Sequence, residues 1–132
     1  MLQGQIENSR RADLLQQIER EERADCLAKS QLCHRECVEL ASALDYVYGG
    51  EASRLVALLA DCAEISMMLA SSLTNRKSRF NRPLIELGVE VTERCASECA
   101  RQMDEAEAQA CIAACAQFSA SCRAMTQEPT LQ

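Results

Sequence analysis

The sequence contains very few residues that interrupt a regular backbone, with four Gly and two Pro among 132 residues. An all-β sandwich or barrel needs a turn about every 8–12 residues, so the scarcity of turn residues argues against that class. No Gly or Pro occurs between Ala24 and Tyr48, and Gly49 and Gly50 follow directly, as glycines do where helices end. The chain is therefore predicted to be all-α.

The same signals divide the chain into helices and loops. Pro83 suits the first turn of a helix and closes a polar, basic segment over residues 75–83. A short connection near residues 103–105 precedes the last helix. The predicted helices cover residues 24–48, about 51–75, 83–102 and 105–126. Because short loops join long helices into antiparallel neighbours, we predict an antiparallel up-down-up-down four-helix bundle.

The chain length fits a single domain, which we place over residues 24–126. Residues 1–23 are predicted to be an additional N-terminal amphipathic helical segment, either a separate helix or an extension of the next one. Residues 127–132 are predicted to be a C-terminal tail, because Pro129 ends regular structure.

Composition and charge exclude several classes of function. The formal net charge of −6 argues against a nucleic-acid partner, whose binding surface on the protein would be basic. No run of about 18 apolar residues occurs, so no membrane span is expected. Residues 1–23 mix acids and bases and lack the apolar core of a secretory signal. We therefore expect a cytoplasmic protein, in which clustered cysteines are more often metal or redox groups than structural disulfides.

All nine cysteines fall on helix stripes that are predicted to face the core. At about 100° per residue, Cys26, Cys33 and Cys37 share one face with Leu44. The stripes of the other three helices are Leu55, Leu58, Cys62, Ser66, Leu69 and Leu73; Leu84, Gly88, Val91, Cys95 and Cys99; and Cys111, Cys115, Phe118 and Cys122, with Met125 behind.

Counting residues from the loops predicts that seven thiols share one layer of the interior. They are Cys33, Cys37, Cys62, Cys95, Cys99, Cys111 and Cys115. Cys26 and Cys122 are predicted to lie together, about two to three turns further along. Thiolates in an apolar interior suit soft ions, with Cu(I) first and Zn(II) or an Fe–S cluster next. Zinc usually takes closed tetrahedral sets announced by a CxxC pair, which this sequence lacks, so Cu(I) is predicted.

Three further side chains are candidate accessory ligands of the metal. His34 lies about 100° around the helix from Cys33, Met103 lies beside the loop that follows Cys99, and Met125 lies beyond Cys122. A single histidine excludes a carboxylate di-iron bundle, which needs two Glu-x-x-His pairs. It also leaves no specific Cys–His nucleophile, so no enzyme is expected.

The cysteine pattern resembles that of the cytosolic copper storage proteins, a family of Cys-rich four-helix bundles. The segments that carry the resemblance are CLAKSQLCHREC (26–37), DCAEIS (61–66), ERCASECARQ (93–102), CIAACAQFSASC (111–122) and the loop Lys77-Ser78-Arg79. It covers about residues 24–125 and implies that all nine cysteines ligate Cu(I) inside the bundle. It also implies a homo-oligomer, either a tetramer or a dimer.

The chain also departs from the family pattern. Ser30, Ser66, Val91 and Phe118 stand where the pattern has Cys, and Leu44, Leu58 and Leu69 fill further inward positions. We therefore expect fewer ions than in a full storage protein. This leaves a sensing, delivery or buffering role open, as well as a metal other than copper.

Two other interpretations remain open from the sequence. Cys95-x₃-Cys99 and Cys111-x₃-Cys115 resemble the twin CX₃C hairpin of small mitochondrial chaperones, with disulfides from Cys95 to Cys115 and from Cys99 to Cys111. Such a protein would be a disulfide-stapled interaction protein without metal. Alternatively, the chain is an oligomerising bundle whose N-terminal segment docks a partner.

Overall fold

The structure is a computed structural model that describes residues 2–127. Its elements are α1 (Leu2–Tyr48), a 3₁₀ turn (Gly49–Ala52), α2 (Ser53–Leu73), α3 (Asn81–Gln102) and α4 (Glu105–Thr126). The described residues contain no β-strand, and the all-α prediction is confirmed. The predicted tail is described only at Gln127, because residues 128–132 lie outside the described part of the chain.

The predicted N-terminal segment is not a separate helix. α1 runs through residue 23 without a break and has 47 residues, because no Pro occurs in it and its single Gly, Gly4, lies in its first turn. Residues 2–14 are all exposed, and Cys26 is the first buried residue of the helix. The part of α1 that precedes Cys26 therefore contributes little to the core.

Apart from the start of α1, the helix ends agree with the predicted ones to within two residues. Gly49 has a φ of +58°, the left-handed conformation that glycine adopts most readily at a helix end. One 3₁₀ turn follows it, so α2 begins at Ser53 and not at residue 51. Pro83 lies in the first turn of α3, where its missing N–H needs no partner.

The four helices enclose one interior. α1 packs against α2 and α4, and α3 packs against the same two helices. α1 and α4 run antiparallel, since facing cysteines have rising numbers on α1 and falling numbers on α4. The facing pairs are Cys26–Cys122, Cys33–Cys115 and Cys37–Cys111. Side chains from all four helices therefore meet in the enclosed space.

The predicted core stripes need a correction at three positions. Leu59, Ile85 and Thr92 are buried, whereas their neighbours Leu58, Leu84 and Val91 are only partly buried. The observed stripe of α2 is Leu55, Leu59, Cys62, Ser66, Leu69 and Leu73, and that of α3 is Ile85, Gly88, Thr92, Cys95 and Cys99. The spacing alternates three and four residues, which keeps a stripe facing its neighbours along nearly parallel helix axes.

Hydropathy adds a second correction. The helical stretch Leu2–Leu73 includes an 18-residue window that is long and apolar enough, by length and composition alone, to cross a membrane. The prediction that no segment could span a membrane, which rested on the lack of an uninterrupted apolar run, therefore does not hold by length and composition alone. A core helix of a soluble protein passes the same test, and the window is partly buried inside this protein.

The two phenylalanines of the chain provide a matched test of the core. Phe118 is fully buried and Phe80 is 69% exposed. We expect Phe118→Ala to lower the free energy of unfolding of the reduced, metal-free protein by about 3–5 kcal/mol, because it leaves a cavity. Phe80→Ala should change it by less than about 0.5 kcal/mol. Urea denaturation followed by circular dichroism measures both, and equal losses would contradict this account of the core.

Candidate metal centre

Two sets of four buried thiols lie at the centre of the helices. Cys33, Cys37, Cys62 and Cys115 form the first set, and their Sγ atoms all lie within 4.8 Å of one another. Cys37, Cys95, Cys111 and Cys115 form the second set, under the same limit. The two sets share Cys37 and Cys115, so they form one continuous cluster of six thiols, which we call the six-thiol cluster.

Sulfur–sulfur contacts within the cluster join different helices. The Sγ atom of Cys33 lies 3.8 Å from that of Cys62 on α2 and 3.8 Å from that of Cys115 on α4. The Sγ atoms of Cys37 and Cys111 are 3.7 Å apart. With Cys95 of α3 in the second set, each of the four helices contributes at least one thiol, so the cluster forms only when the chain is folded.

The other three cysteines occupy distinct places. Cys99 is fully buried and lies beside the cluster, where the neighbouring thiols of Cys111 and Cys95 raise the pKa of its own thiol. Cys26 and Cys122 form a separate pair with their Sγ atoms 3.8 Å apart. The structure thus brings seven predicted site cysteines together at one level and holds two apart, as the counting of residues predicted.

A layer of hydroxyl groups separates the pair from the cluster. Ser30, Ser66 and Thr92 are fully buried, one on each of α1, α2 and α3. Each donates its hydroxyl hydrogen to a carbonyl of its own helix at 2.7 Å: Ser30 to Leu27, Ser66 to Cys62, and Thr92 to Gly88. Because these hydrogens are bonded within each helix, no hydroxyl is left unsatisfied in the interior.

An aromatic ring from α4 fills the remaining space at this end of the cluster. Phe118 is fully buried, and its ring tip would lie 3.5 Å from a Cβ atom added at Gly88. The Sγ atom of Cys122 and the Cδ2 atom of Leu69 would lie 3.6 and 3.7 Å from that same atom. A Cβ atom at Gly88 would thus meet the ring at ordinary van der Waals distance, and Phe118 fills the interior between Gly88 and the neighbouring helices.

The candidate accessory ligands lie outside the cluster. His34 is partly buried, and its Nδ1 atom hydrogen-bonds the carbonyl oxygen of Ala63 on α2 at 2.9 Å. Met103 lines a cavity of about 330 Å³ at the end of the molecule where Gly49–Ala52 and the α3–α4 connection lie. Met125 is partly buried and packs against the core near the other end, beyond Cys122. In the structure, none of the three belongs to either set of four.

The thiols of the cluster divide into proton donors and acceptors. S–H donation from Cys115 lowers the pKa of Cys62 and of Cys111 to about 5. The reciprocal contacts, with Cys111 foremost, raise the pKa of Cys115 above its usual range. Contact with Cys111 likewise raises the pKa of Cys37 and of Cys99. Because metals bind thiolates, uptake of an ion must displace the protons that Cys37 and Cys115 retain.

Metal uptake should therefore depend on pH with a defined sign. Between about pH 8 and pH 6, we expect the apparent affinity for Cu(I) to fall about tenfold per pH unit for each proton displaced. Below about pH 5, Cys62 and Cys111 become protonated too, so the dependence steepens. Competition with a chelator of known proton affinity measures this effect. An affinity that stays constant with pH would show that the thiols are already ionised.

The structure corrects two expectations about the thiols. Closed sets of four exist although the sequence has no CxxC pair, because their members come from different helices. Separation along the sequence could not reveal them, since the distances between helices decide which thiols meet. The disulfides of the twin CX₃C interpretation are not formed, because all nine cysteines are free.

Comparison with known proteins gives one finding about the family. Neither the curated proteins nor the solved structures include a match to this chain. A family model described as Copper storage protein matches residues 17–127, which include most of α1, the other three helices and all nine cysteines. The match covers most of the chain, and its description agrees with the buried thiol cluster at the centre of the structure. The chain belongs to the copper storage protein family.

Proposed function

We propose that this protein binds and sequesters several Cu(I) ions on cysteine thiolates in its interior. The observation that carries the proposal is the six-thiol cluster, in which every Sγ atom belongs to a set of four within 4.8 Å. Thiolates are the ligands that Cu(I) prefers, and an apolar site excludes water and competing hard ligands. Five of the six residues are fully buried, and Cys111 is only 3% exposed.

We propose that all nine cysteines act as ligands, with different roles by position. The six-thiol cluster and the adjacent Cys99 form the main site, and Cys26 with Cys122 forms a smaller one. Met103 lines a cavity at one end of the molecule, where a thioether can pass a soft ion inward. The partly buried His34 and Met125 remain accessory candidates, although neither belongs to the thiol sets.

The proposed capacity is smaller than that of an interior lined with thiols from end to end. Ser30, Ser66 and Thr92 replace possible sulfur ligands with hydroxyls, which bind Cu(I) poorly. Phe118 fills the same level from α4. The chain therefore suits a buffering role with a limited number of ions.

We also propose an architecture and a setting for this function. The packing of the helices around one interior supports an antiparallel up-down-up-down four-helix bundle over residues 24–126, with residues 1–23 as an extension. Membership of the copper storage family supports a non-enzymatic protein, and the clustered cysteines support a setting in the cytoplasm, where thiols are kept reduced. A homo-oligomer, tetramer or dimer, completes the proposal. In this proposal, the protein has neither a nucleic-acid partner nor a membrane partner.

Anaerobic titration of the reduced full chain with Cu(I) tests the proposed function. We expect several ions per chain, with new sulfur-to-copper charge-transfer absorption in the near ultraviolet, because the ions enter a thiolate site. Cys115→Ser should lower the capacity more than Cys122→Ser, since Cys115 belongs to both sets of four. Binding of less than one ion per chain would contradict the proposal.

Restoring sulfur to the hydroxyl layer tests the proposed limit on capacity. The double variant Ser30→Cys and Ser66→Cys should bind more Cu(I) than the natural chain, because both new thiols face the interior. Ser71→Cys is the matched control, since Ser71 is exposed and adds a thiol outside the core. Metal analysis after passage over a chelating column measures retained copper. An unchanged value in the double variant would contradict the role given to the layer.

A further inference from the structure

The six-thiol cluster consists of two overlapping sets of thiols and is not one undivided group. Each set contains four thiols, and the sets have two thiols in common, Cys37 and Cys115. Four of the six therefore belong to one set only: Cys33 and Cys62 to the first, and Cys95 and Cys111 to the second. This is the ligand arrangement of two tetrahedra that share an edge.

The sulfur–sulfur distances also fit tetrahedra. Zn–S bonds are about 2.3 Å long, so a regular ZnS₄ tetrahedron has edges of about 3.8 Å. Cys33–Cys62 and Cys33–Cys115 have this separation, and Cys37–Cys111 is 3.7 Å. The other sulfur pairs of each set lie within 4.8 Å of one another. The spacing within each set is therefore within about 1 Å of the edges that an ion with four sulfur ligands needs.

The surroundings limit the cluster to this size. On one side, the hydroxyls of Ser30, Ser66 and Thr92 donate their hydrogens to carbonyls of their own helices. Beside them lies the ring of Phe118. On the other side, the fully buried Cys99 follows Cys95 by one turn of α3 and belongs to neither set. The six thiols thus form a finite site with a fixed number of positions.

We propose that the six-thiol cluster is also a dinuclear site for divalent ions that prefer tetrahedral sulfur, with Zn(II) foremost. One ion occupies each set, Cys37 and Cys115 bridge the two ions, and the other four thiolates are terminal ligands. The inference takes its ligands from the proposed function, since Cu(I) and the divalent ions would use the same thiols. It adds a second class of metal, with a stoichiometry set by geometry.

Titration with Co(II), the spectroscopic substitute for Zn(II), tests this site. In the reduced, metal-free full chain, we expect tetrahedral ligand-field bands and sulfur-to-cobalt charge-transfer absorption that saturate at two ions per chain. Zn(II) should displace both ions, and native mass spectrometry should count two zinc ions. Binding of one or no Co(II) per chain, or of octahedral Co(II), would overturn the proposal.

Single substitutions distinguish bridging from terminal ligands. Cys62→Ser leaves the second set intact, so one ion should remain with its tetrahedral spectrum. Cys115→Ser removes a member from both sets, so binding with four sulfurs should be lost entirely. Ala114→Ser is the matched control, because it adds a hydroxyl to the buried side of α4 and removes no thiol, so it should retain two ions. Circular dichroism of each metal-free variant verifies its fold, and the helix content should match that of the natural chain.

The pattern of results separates this inference from the proposed function. Equal cobalt stoichiometry in Cys62→Ser and Cys115→Ser would overturn the bridging arrangement, as would an equal loss in the control Ala114→Ser. Uptake of several Cu(I) without Co(II) or Zn(II) would overturn the dinuclear divalent site and leave copper sequestration standing. Uptake of two divalent ions without Cu(I) would overturn copper sequestration and leave the dinuclear divalent site standing.

Discussion

Contact between thiols of different helices is the interaction on which the rest of the structure depends. Cysteine is small and soft, so several of its side chains can meet where two large aliphatic side chains would fill the space. The contacts from Cys33 to Cys62 and to Cys115 connect α1 to both of its neighbouring helices. The interior of this protein is therefore organised by thiols, so the residues that pack the core are the same ones that could hold a metal ion.

That arrangement imposes a balance between folding and function. Packed thiols bury less apolar surface than leucine or phenylalanine would, so a metal-free core of this kind gains less from the hydrophobic effect. Apolar side chains are concentrated towards the ends of the interior, with Leu44 and Leu55 at one end and Leu69, Leu73 and Phe118 towards the other. A metal that binds only the folded chain adds its binding free energy to that of folding.

The sequence predicts the level of each thiol along the helices, but it does not predict which thiols form the sets of four. The fixed rise per residue and the short loops put Cys37, Cys62, Cys95 and Cys111 at one level, and the structure agrees. The prediction that Leu58 faces the core was wrong, and Leu59 is buried instead. Both residues are apolar and adjacent on the helix, so only the packing of the helices determines which one is buried. The closed sets of four depend on distances between helices, and no local spacing encodes those distances.

The long first helix has a consequence for how stability is distributed. With a rise of about 1.5 Å per residue, its 47 residues extend about 70 Å, more than twice the length of α2. Only the portion from Cys26 onward has buried side chains, and near the junction Glu19 forms an ion pair with Arg76 at 3.1 Å. We therefore expect amide protection to rise along this one helix, from low values over residues 2–14 to the highest values beside the thiols. A metal ion held by the thiols would steepen that gradient, because it would restrain the inner turns and leave the outer ones free to exchange.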